Sequence, residues 1–420
     1  MQFTFHGATQ EVGRSCIEID NKFLLDAGLK ITDHGNAYPS HFDPRPIQAI
    51  FISHAHLDHT GALPLLNHDG LSCPIYLTKM TRLTSELLLD DSLHIELISH
   101  SHPGYGKKHI LSVMQHYKDV VYNKVYNVNG ATFQFLDAGH IPGSASILLN
   151  YNGKKILYTG DINHMSTQLL KGSCYNVKNV DVMITESTYG DRGHPNRIES
   201  VERFLEVIKE TLDNNGSVLI PAFAVGRAQE LMMILANAKD ITCPIYLDGM
   251  ARKVTDIYLS NPSSVRDINA LRYAQKRIQY INNRSLRKKV LRENCIILTT
   301  SGMVTGGPVM DYLKMMFNDP VHSILLTGYQ GENTNGRLLL EEKCVFVDGK
   351  RLHWSGKIKQ FDFSAHAGQE GLIAAIKLVK PKNLIINHGD PIAIQTLAGK
   401  LKNVVKSIHV PELNETVIIK

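Results

Sequence analysis

The stretch Phe51 to Gly61, FISHAHLDHTG, places His54, His56, Asp58 and His59 within six positions. The apolar run AIFI before it predicts a buried strand, so these side chains are expected where that strand ends. Three imidazoles and a carboxylate cannot all find hydrogen-bond partners cheaply in such a place. A divalent cation solves the problem, because neutral imidazole nitrogen and carboxylate oxygen are ligands that suit zinc. His54 and His56 alternate and project to one side of an extended segment. Asp58 and His59 fall where the chain turns and could face a second ion. A lone HxH is often a surface accident, whereas HxHxDH at a strand end is a far more specific metal pattern.

The elements that would position further chemistry follow the same rule. QFTFHG and CIEIDNKFLLDAG read as two strand-like runs, the second ending at Asp26. GALPLLN begins a helix with Pro64 near its start, where a missing N–H costs little. Thr78 to Tyr117 is mostly helical in pattern. It contains a second HxH, His100-Ser101-His102, but no carboxylate completes it and Pro103-Gly104-Tyr105-Gly106 reads as a loop, so no third metal site is assigned there. ATFQFLDAGH ends at His140. ILLNYNGKKILYTGD is a hairpin turning at Asn152-Gly153 and ending at Asp161. DVMITESTYG ends at Glu186. Three successive apolar runs thus end in groups able to bind metal or move protons, and ligands in layered α/β folds sit at strand ends.

From about Asp191 the pattern changes. SVERFLEVIKETLDNNG is an amphipathic helix, expected to be capped by Gly216. It is followed by GSVLIPAFAVGRAQELMMILANA, PIYLDG, NCIILTTSGM and VHSILLTGY, buried strands alternating with Gly-bearing loops and helices. That alternation predicts a parallel α/β domain. Lys276 to Lys289, basic with one aromatic interleaved, is expected to be a solvated helix face in preference to a phosphate-backbone contact. FDFSAHA, with His366, and NLIINHGD, with His388 at a strand end, return to the first style.

A chain of 420 residues suggests two domains. No run of eighteen apolar residues occurs and the N-terminus lacks a charged-then-apolar leader, which argues against a membrane span or a secretory signal. The six cysteines lie far apart with no CxxC, as expected of buried thiols in a reducing, cytoplasmic setting. A net charge of +5 is compatible with a polyanionic substrate without demanding one.

These motifs, with GATQEVGRSC, AGHIPGSAS, YTGDIN, ESTYGDRGHP, IPAFAVGRAQE, TTSGM and GYQGENTNGR, resemble the β-CASP nucleases of the metallo-β-lactamase superfamily from end to end. Within that branch the chain is most similar to the endonuclease subunit of the pre-mRNA 3′-end cleavage factor and its single-chain prokaryotic relatives. The resemblance implies an α/β fold: an αββα sandwich (1–190 and 347–420) interrupted by a parallel α/β β-CASP domain (191–346), with the active site between the two. It implies two zinc ions per chain, one on His54, His56 and His140, the other on Asp58, His59 and His388, with Asp161 bridging and Asp26 orienting ligands from behind. The branch's additional motifs fall on Glu186, His366 and His388, and a final His resembles the RNA-acting members.

The implied reaction is hydrolysis of RNA phosphodiester bonds by a metal-activated hydroxide, with Asp58 and Asp161 holding the metals. His366 is the acid for the leaving 3′ oxygen and Glu186 keeps it protonated, so the ends expected are 5′-phosphate and 3′-hydroxyl. Ser301, Gly302, Arg227 and Arg337 are possible phosphate contacts. Cleavage is expected to be mainly endonucleolytic. The rivals are a 5′-to-3′ exoribonuclease of the RNase J kind and a non-catalytic scaffold subunit, which would predict lost ligands. A lactam or thioester hydrolase would leave the large insertion, Glu186 and His366 without a use. Single-stranded RNA is the expected partner, with a homodimer or RNA-processing proteins as further possibilities and no membrane.

Overall fold

Strand patterns of both kinds, alternating and wholly apolar, build the layers of this protein. The computed structural model describes residues 1–32, 35–98, 103–174 and 176–420; the His100-Ser101-His102 pair lies outside them. Two compact units result, one of Met1–Ser166, Lys171–Gly193 and His366–Lys420, the other of Thr167–Leu170 and His194–Ala365.

The first unit is an αββα sandwich of two seven-stranded sheets. In Lys154–Tyr158, Val182–Thr185 and Asn383–Ile386 the apolar run serves both faces, as expected of a sheet covered on each side. Ile156, Tyr158, Val182, Ile184 and Ile385 point inward, where they meet Phe3, Phe5, Phe23 and Phe51 of the opposing sheet. Leu157, Met183, Leu384 and Ile386 point outward, under the helices Gln369–Val379 and Pro391–Leu401. The other sheet is covered in turn by Leu63–His68 and Lys107–His116, over Leu24, Ile50, Ile52 and Leu77. Each such side chain contributes roughly 1.5–3 kcal/mol when fully buried.

Two local expectations change. CIEIDNKFLLDAG is two strands, Ile17–Ile19 and Phe23–Leu25, because Asp20 and Asn21 both take left-handed backbone (φ 49° and 50°) and turn a hairpin. Asn152-Gly153 turns its hairpin in the same way, as expected. The helix Arg197–Asp213 starts at Asn196, whose side chain accepts from the N–H groups of Ile198 and Glu199. It is Asn215 (φ 58°), not Gly216, that supplies the left-handed residue after it.

The second unit is built on a six-stranded sheet, paired parallel throughout, with helices between its strands. Its last strand, Lys357–Gln360, pairs with Ser323–Leu326, and the hairpin Cys344–Val347/Lys350–His353 precedes it. Residues 347–365, expected with the C-terminal part of the sandwich, therefore pack with the insertion: backbone pairing, invisible to a motif boundary, places them there. Lys276 to Lys289 is not one helix face. It comprises the end of Ile268–Arg277, the two-residue strand Gln279–Tyr280 and most of the helix Arg284–Val290. Arg287 is tied to Asp248 at 2.7 Å and to Asp311 at 2.6 Å, and Arg284 also pairs with Asp311 at 2.6 Å.

Candidate metal centre

Strand Ala49–Phe51 ends three residues before His54, and Lys154–Tyr158 ends three before Asp161. Glu186 directly follows Val182–Thr185, and His388 comes two residues after Asn383–Ile386. Four strand ends from both sheets of the first unit therefore deliver polar groups to one place, and His140 joins them from the turn after Ala131–Asp137. Gly160 makes the approach possible. It takes φ 54°, and a Cβ there would stand 2.6 Å from that of Ser53.

Three ring nitrogens converge: Nε2 of His54 lies 3.2 Å from Nδ1 of His56, which lies 3.3 Å from Nε2 of His140. Two donors about 2.05 Å from one tetrahedral ion stand about 3.3 Å apart, so this spacing fits a shared cation. Asp161 Oδ2 is 3.4 Å from His54 Nε2 and 3.7 Å from His140 Nε2. The same oxygen is 3.5 Å from His59 Nε2, while Oδ1 is 3.4 Å from His388 Nδ1. Asp58 Oδ2 completes this second group, 3.8 Å from His59 Nε2 and 3.5 Å from His388 Nε2. The sets His54/His56/His140/Asp161 and His59/Asp161/His388 are each close enough to hold an ion, with Asp161 common to both. Nε2 of His59 is buried with no hydrogen-bond partner, an orphaned polar atom of the kind that a bound cation would engage in place of a proton.

Asp26 explains the orientation of these rings. Its Oδ2 accepts from His59 Nδ1 at 2.7 Å, from Tyr158 Oη at 2.6 Å and from Ser53 Oγ at 2.7 Å, while Oδ1 accepts from the Ser53 N–H. With Nδ1–H committed to Asp26, His59 turns the lone pair of Nε2 into the site. Ser53 Oγ is also 3.0 Å from His54 Nδ1, which leaves His54 Nε2 free in the same way. Ser53 and Tyr158 were not anticipated from the sequence. Their only signal is adjacency, one next to HxHxDH and the other just before TGD. A carboxylate or hydroxyl behind each ligating imidazole is the usual support of a metal site.

Burial pushes His54 well below the ordinary imidazole value and His56 down to about 4, so both are neutral, ligand-ready rings. Burial works against a charge on His59 too, but Asp161, Asp58 and Asp26 outweigh it and hold His59 well above that value. Asp161 is held well below the carboxylate range despite burial by the imidazoles around it, His388 and His59 foremost. The pocket is thus rich in negative charge that a cation can replace a proton in balancing.

Beside these groups, His366 Nδ1 lies 2.9 Å from Glu186 Oε2 and 3.9 Å from Asp161 Oδ2. At 2.9 Å the imidazole and Glu186 make a charge-assisted hydrogen bond, shorter than the spacing of two donors on one ion. Glu186 is fixed in turn by Oε1, which accepts the Ile162 N–H at 2.7 Å. Burial opposes a charge on His366, yet Glu186 and then Asp161 raise it to about 9.

The remaining predicted residues lie in the second unit. Ser301 Oγ accepts from the Thr305 N–H, and Gly302 O accepts from Gln330 Nε2, so both belong to a fastened loop after strand Ile296–Thr299. Arg337 is engaged by Glu341 one helical turn on, at 2.6 Å. Arg227 is buried at the start of the helix Arg227–Asn237. No helix among the described residues is long and apolar enough to cross a membrane.

Comparison with known proteins gives three family matches: Beta-Casp domain over residues 228–339, Zn-dependent metallo-hydrolase RNA specificity domain over 352–411, and Anti-Pycsar protein Apyc1 over 16–198. Among curated proteins, the "Probable RNase MJ4" of Methanocaldococcus jannaschii is 40% identical over 402 residues, covering 93% of this chain and 94% of that protein. An "RNase J-like protein" of the same organism is 36% identical and covers 92% of each. Its "Transcription termination factor FttA" is 33% identical, over 100% of this chain and 72% of its own length. With an αββα sandwich carrying a parallel α/β insertion, a strand-end cluster of histidines and aspartates, and identity of this extent, the chain belongs to the β-CASP family of metallo-β-lactamase-fold nucleases, in the group of these archaeal proteins.

Proposed function

We propose that the protein is a zinc-dependent ribonuclease that cleaves RNA mainly at internal phosphodiester bonds, leaving 5′-phosphate and 3′-hydroxyl ends. The observation that carries this reading is the arrangement of two cation-sized donor groups around Asp161, with the His366–Glu186 pair beside them. The relatives named as RNases support RNA as the substrate.

His54, His56 and His140 would hold one zinc and Asp58, His59 and His388 the other, with Asp161 within reach of both. When bound, two such ions supply Lewis acidity that makes a water nucleophilic at neutral pH and offsets charge on the phosphoryl oxygens. The chain's own contribution is orientation and a proton. Asp26 and Ser53 fix the tautomers of His59 and His54. Glu186 occupies Nδ1–H of His366, so the proton delivered to the departing 3′ oxygen is the one on Nε2. With its pKa raised to about 9, His366 carries that proton at neutral pH. Water as nucleophile leaves the RNA 2′-hydroxyl without a chemical role.

The test uses 5′-labelled RNA bearing either a triphosphate or a monophosphate, with a chelated sample and His366→Ala alongside. Internal fragments formed equally from both RNAs, with ends that accept ligation only as 5′-phosphate and 3′-hydroxyl, are expected. Release of mononucleotide from the monophosphate RNA alone would replace the endonuclease reading with a 5′-to-3′ exonuclease.

A further inference from the structure

Residues Ala8 to Ser15 are used by none of the chemistry above, yet their backbone runs onto two of the proposed ligands. The His388 N–H donates to Ala8 O at 2.7 Å, and the Gly389 N–H to Glu11 O at 3.1 Å. The Gly13 N–H points at His388 Nε2, 3.3 Å away. The Ser15 N–H donates to Asp58 O at 2.8 Å. The loop is held in an unusual shape: Ala8, Gln10 and Arg14 take φ of 58°, 54° and 42°, and His388 itself takes 48°. Non-glycine residues rarely adopt such backbone, and it persists only where surrounding contacts over-determine it.

Glu11 supplies that constraint. One oxygen of its carboxylate accepts from Arg14 Nε and the other from Lys30 Nζ at 2.9 Å, and Arg14 also donates to Tyr38 O at 3.2 Å. The stem of Lys30 lies against Gly13, where a Cβ would stand 3.0 Å from Lys30 Cγ and where φ is 114°. The clamp thus ties Glu11 to Arg14 across the segment that contains Gly13, with the Lys30 stem packed against Gly13. His54 and His140 are held from elsewhere, through Ser53 and through the Ser144 hydroxyl that accepts the His140 N–H.

We infer that the Glu11–Arg14–Lys30 clamp is a positioning device for one of the two cation sites, that of Asp58, His59 and His388, and leaves the His54/His56/His140 site largely untouched. The inference rests on the two-cation reading above. Glu11 and Lys30 act through the loop and touch no reacting group. Loss of an outer support of a metal ligand weakens affinity roughly 10- to 100-fold.

Zinc is titrated into the metal-free full chain against a chromophoric chelator, for the unaltered protein, Glu11→Gln and Lys30→Met. Two bound ions are expected for the unaltered protein. In Glu11→Gln one is expected to weaken roughly 10- to 100-fold while the other stays within about twofold, and Lys30→Met should show a smaller change of the same kind. Equal weakening of both sites, or of neither, overturns the clamp. Fewer than two ions on the unaltered protein overturns the two-cation reading instead. Should Glu11→Gln not fold, Lys30→Met, which keeps the Arg14–Glu11 pair, decides by the same criterion.

Discussion

Replacing Glu186 by glutamine isolates what the carboxylate does for His366. The two are 2.9 Å apart, and Glu186 is almost fully buried. In the variant an amide N–H must face the imidazole Nδ1–H, or the amide flips and the Ile162 N–H loses its acceptor. Either way the imidazolium loses an ionised partner. A hydrogen bond to a charged group contributes about 1.5–3 kcal/mol, and each pKa unit is worth about 1.36 kcal/mol, so His366 should fall by about one to two units. Its pKa is raised to about 9 in the unaltered protein; the variant should titrate between about 7 and 8. The proposed acid acts in its protonated form, so activity is expected below the His366 pKa and should be lost as pH rises through it. In the metal-free protein the protonated fraction of His366 at pH 9 should drop about five- to fifty-fold, a difference that shrinks to little below pH 7. The assay is the pH dependence of kcat on a short labelled RNA, with the His366 ring titration followed by NMR in the chelated protein. Bound cations neutralise much of Asp161's influence, which leaves Glu186 as the main support in the working enzyme. An alkaline limb that coincides in the two proteins to within about 0.3 unit would refute the assignment of Glu186 as the group that keeps His366 charged.

Asp26→Asn removes the ionised acceptor behind His59 and should weaken zinc binding roughly 10- to 100-fold, measured by chelator competition; unchanged affinity would mean the aspartate serves packing alone. Zinc added at a hundred times its dissociation constant should stabilise the sandwich unit by about 2.7 kcal/mol per site, about 5.4 kcal/mol for two, and raise its melting temperature by about 10–20 °C, and a chelator should reverse this in a calorimetric scan. In the second unit, Asp311→Asn removes the partner of Arg284 and Arg287. Asp311 is partly buried, which opposes its charge, but these arginines hold its pKa below the ordinary carboxylate value. Its stabilisation is therefore full above pH 4 and lost as pH falls through the depressed value. The variant should be roughly 1–3 kcal/mol less stable in urea at pH 7, with the gap closing as the pH falls below the ordinary carboxylate range.

The sequence carried the chemistry further than it carried the boundaries. His54, His56, Asp58 and His59 declare themselves by spacing, and Asp26, His140, Asp161, Glu186 and His388 by closing apolar runs, because a buried strand has no other inexpensive reason to end in such groups. The layers were legible too, since a run apolar on both faces must be covered on both. The end of the insertion was not. Lys357–Gln360 looks like a polar connector, and only its pairing with Ser323–Leu326 assigns it to the second sheet. What the tertiary structure alone decided are the long-range supports. Ser53, Tyr158 and Asp26 form one hydrogen-bonded group from three strand ends, and Gly13 meets His388 across 375 positions of chain. Local sequence specifies which atoms can ligate. Their tautomers, their orientation and the separation of the two donor groups depend on backbone contacts between distant segments, which leave no periodic trace in the chain.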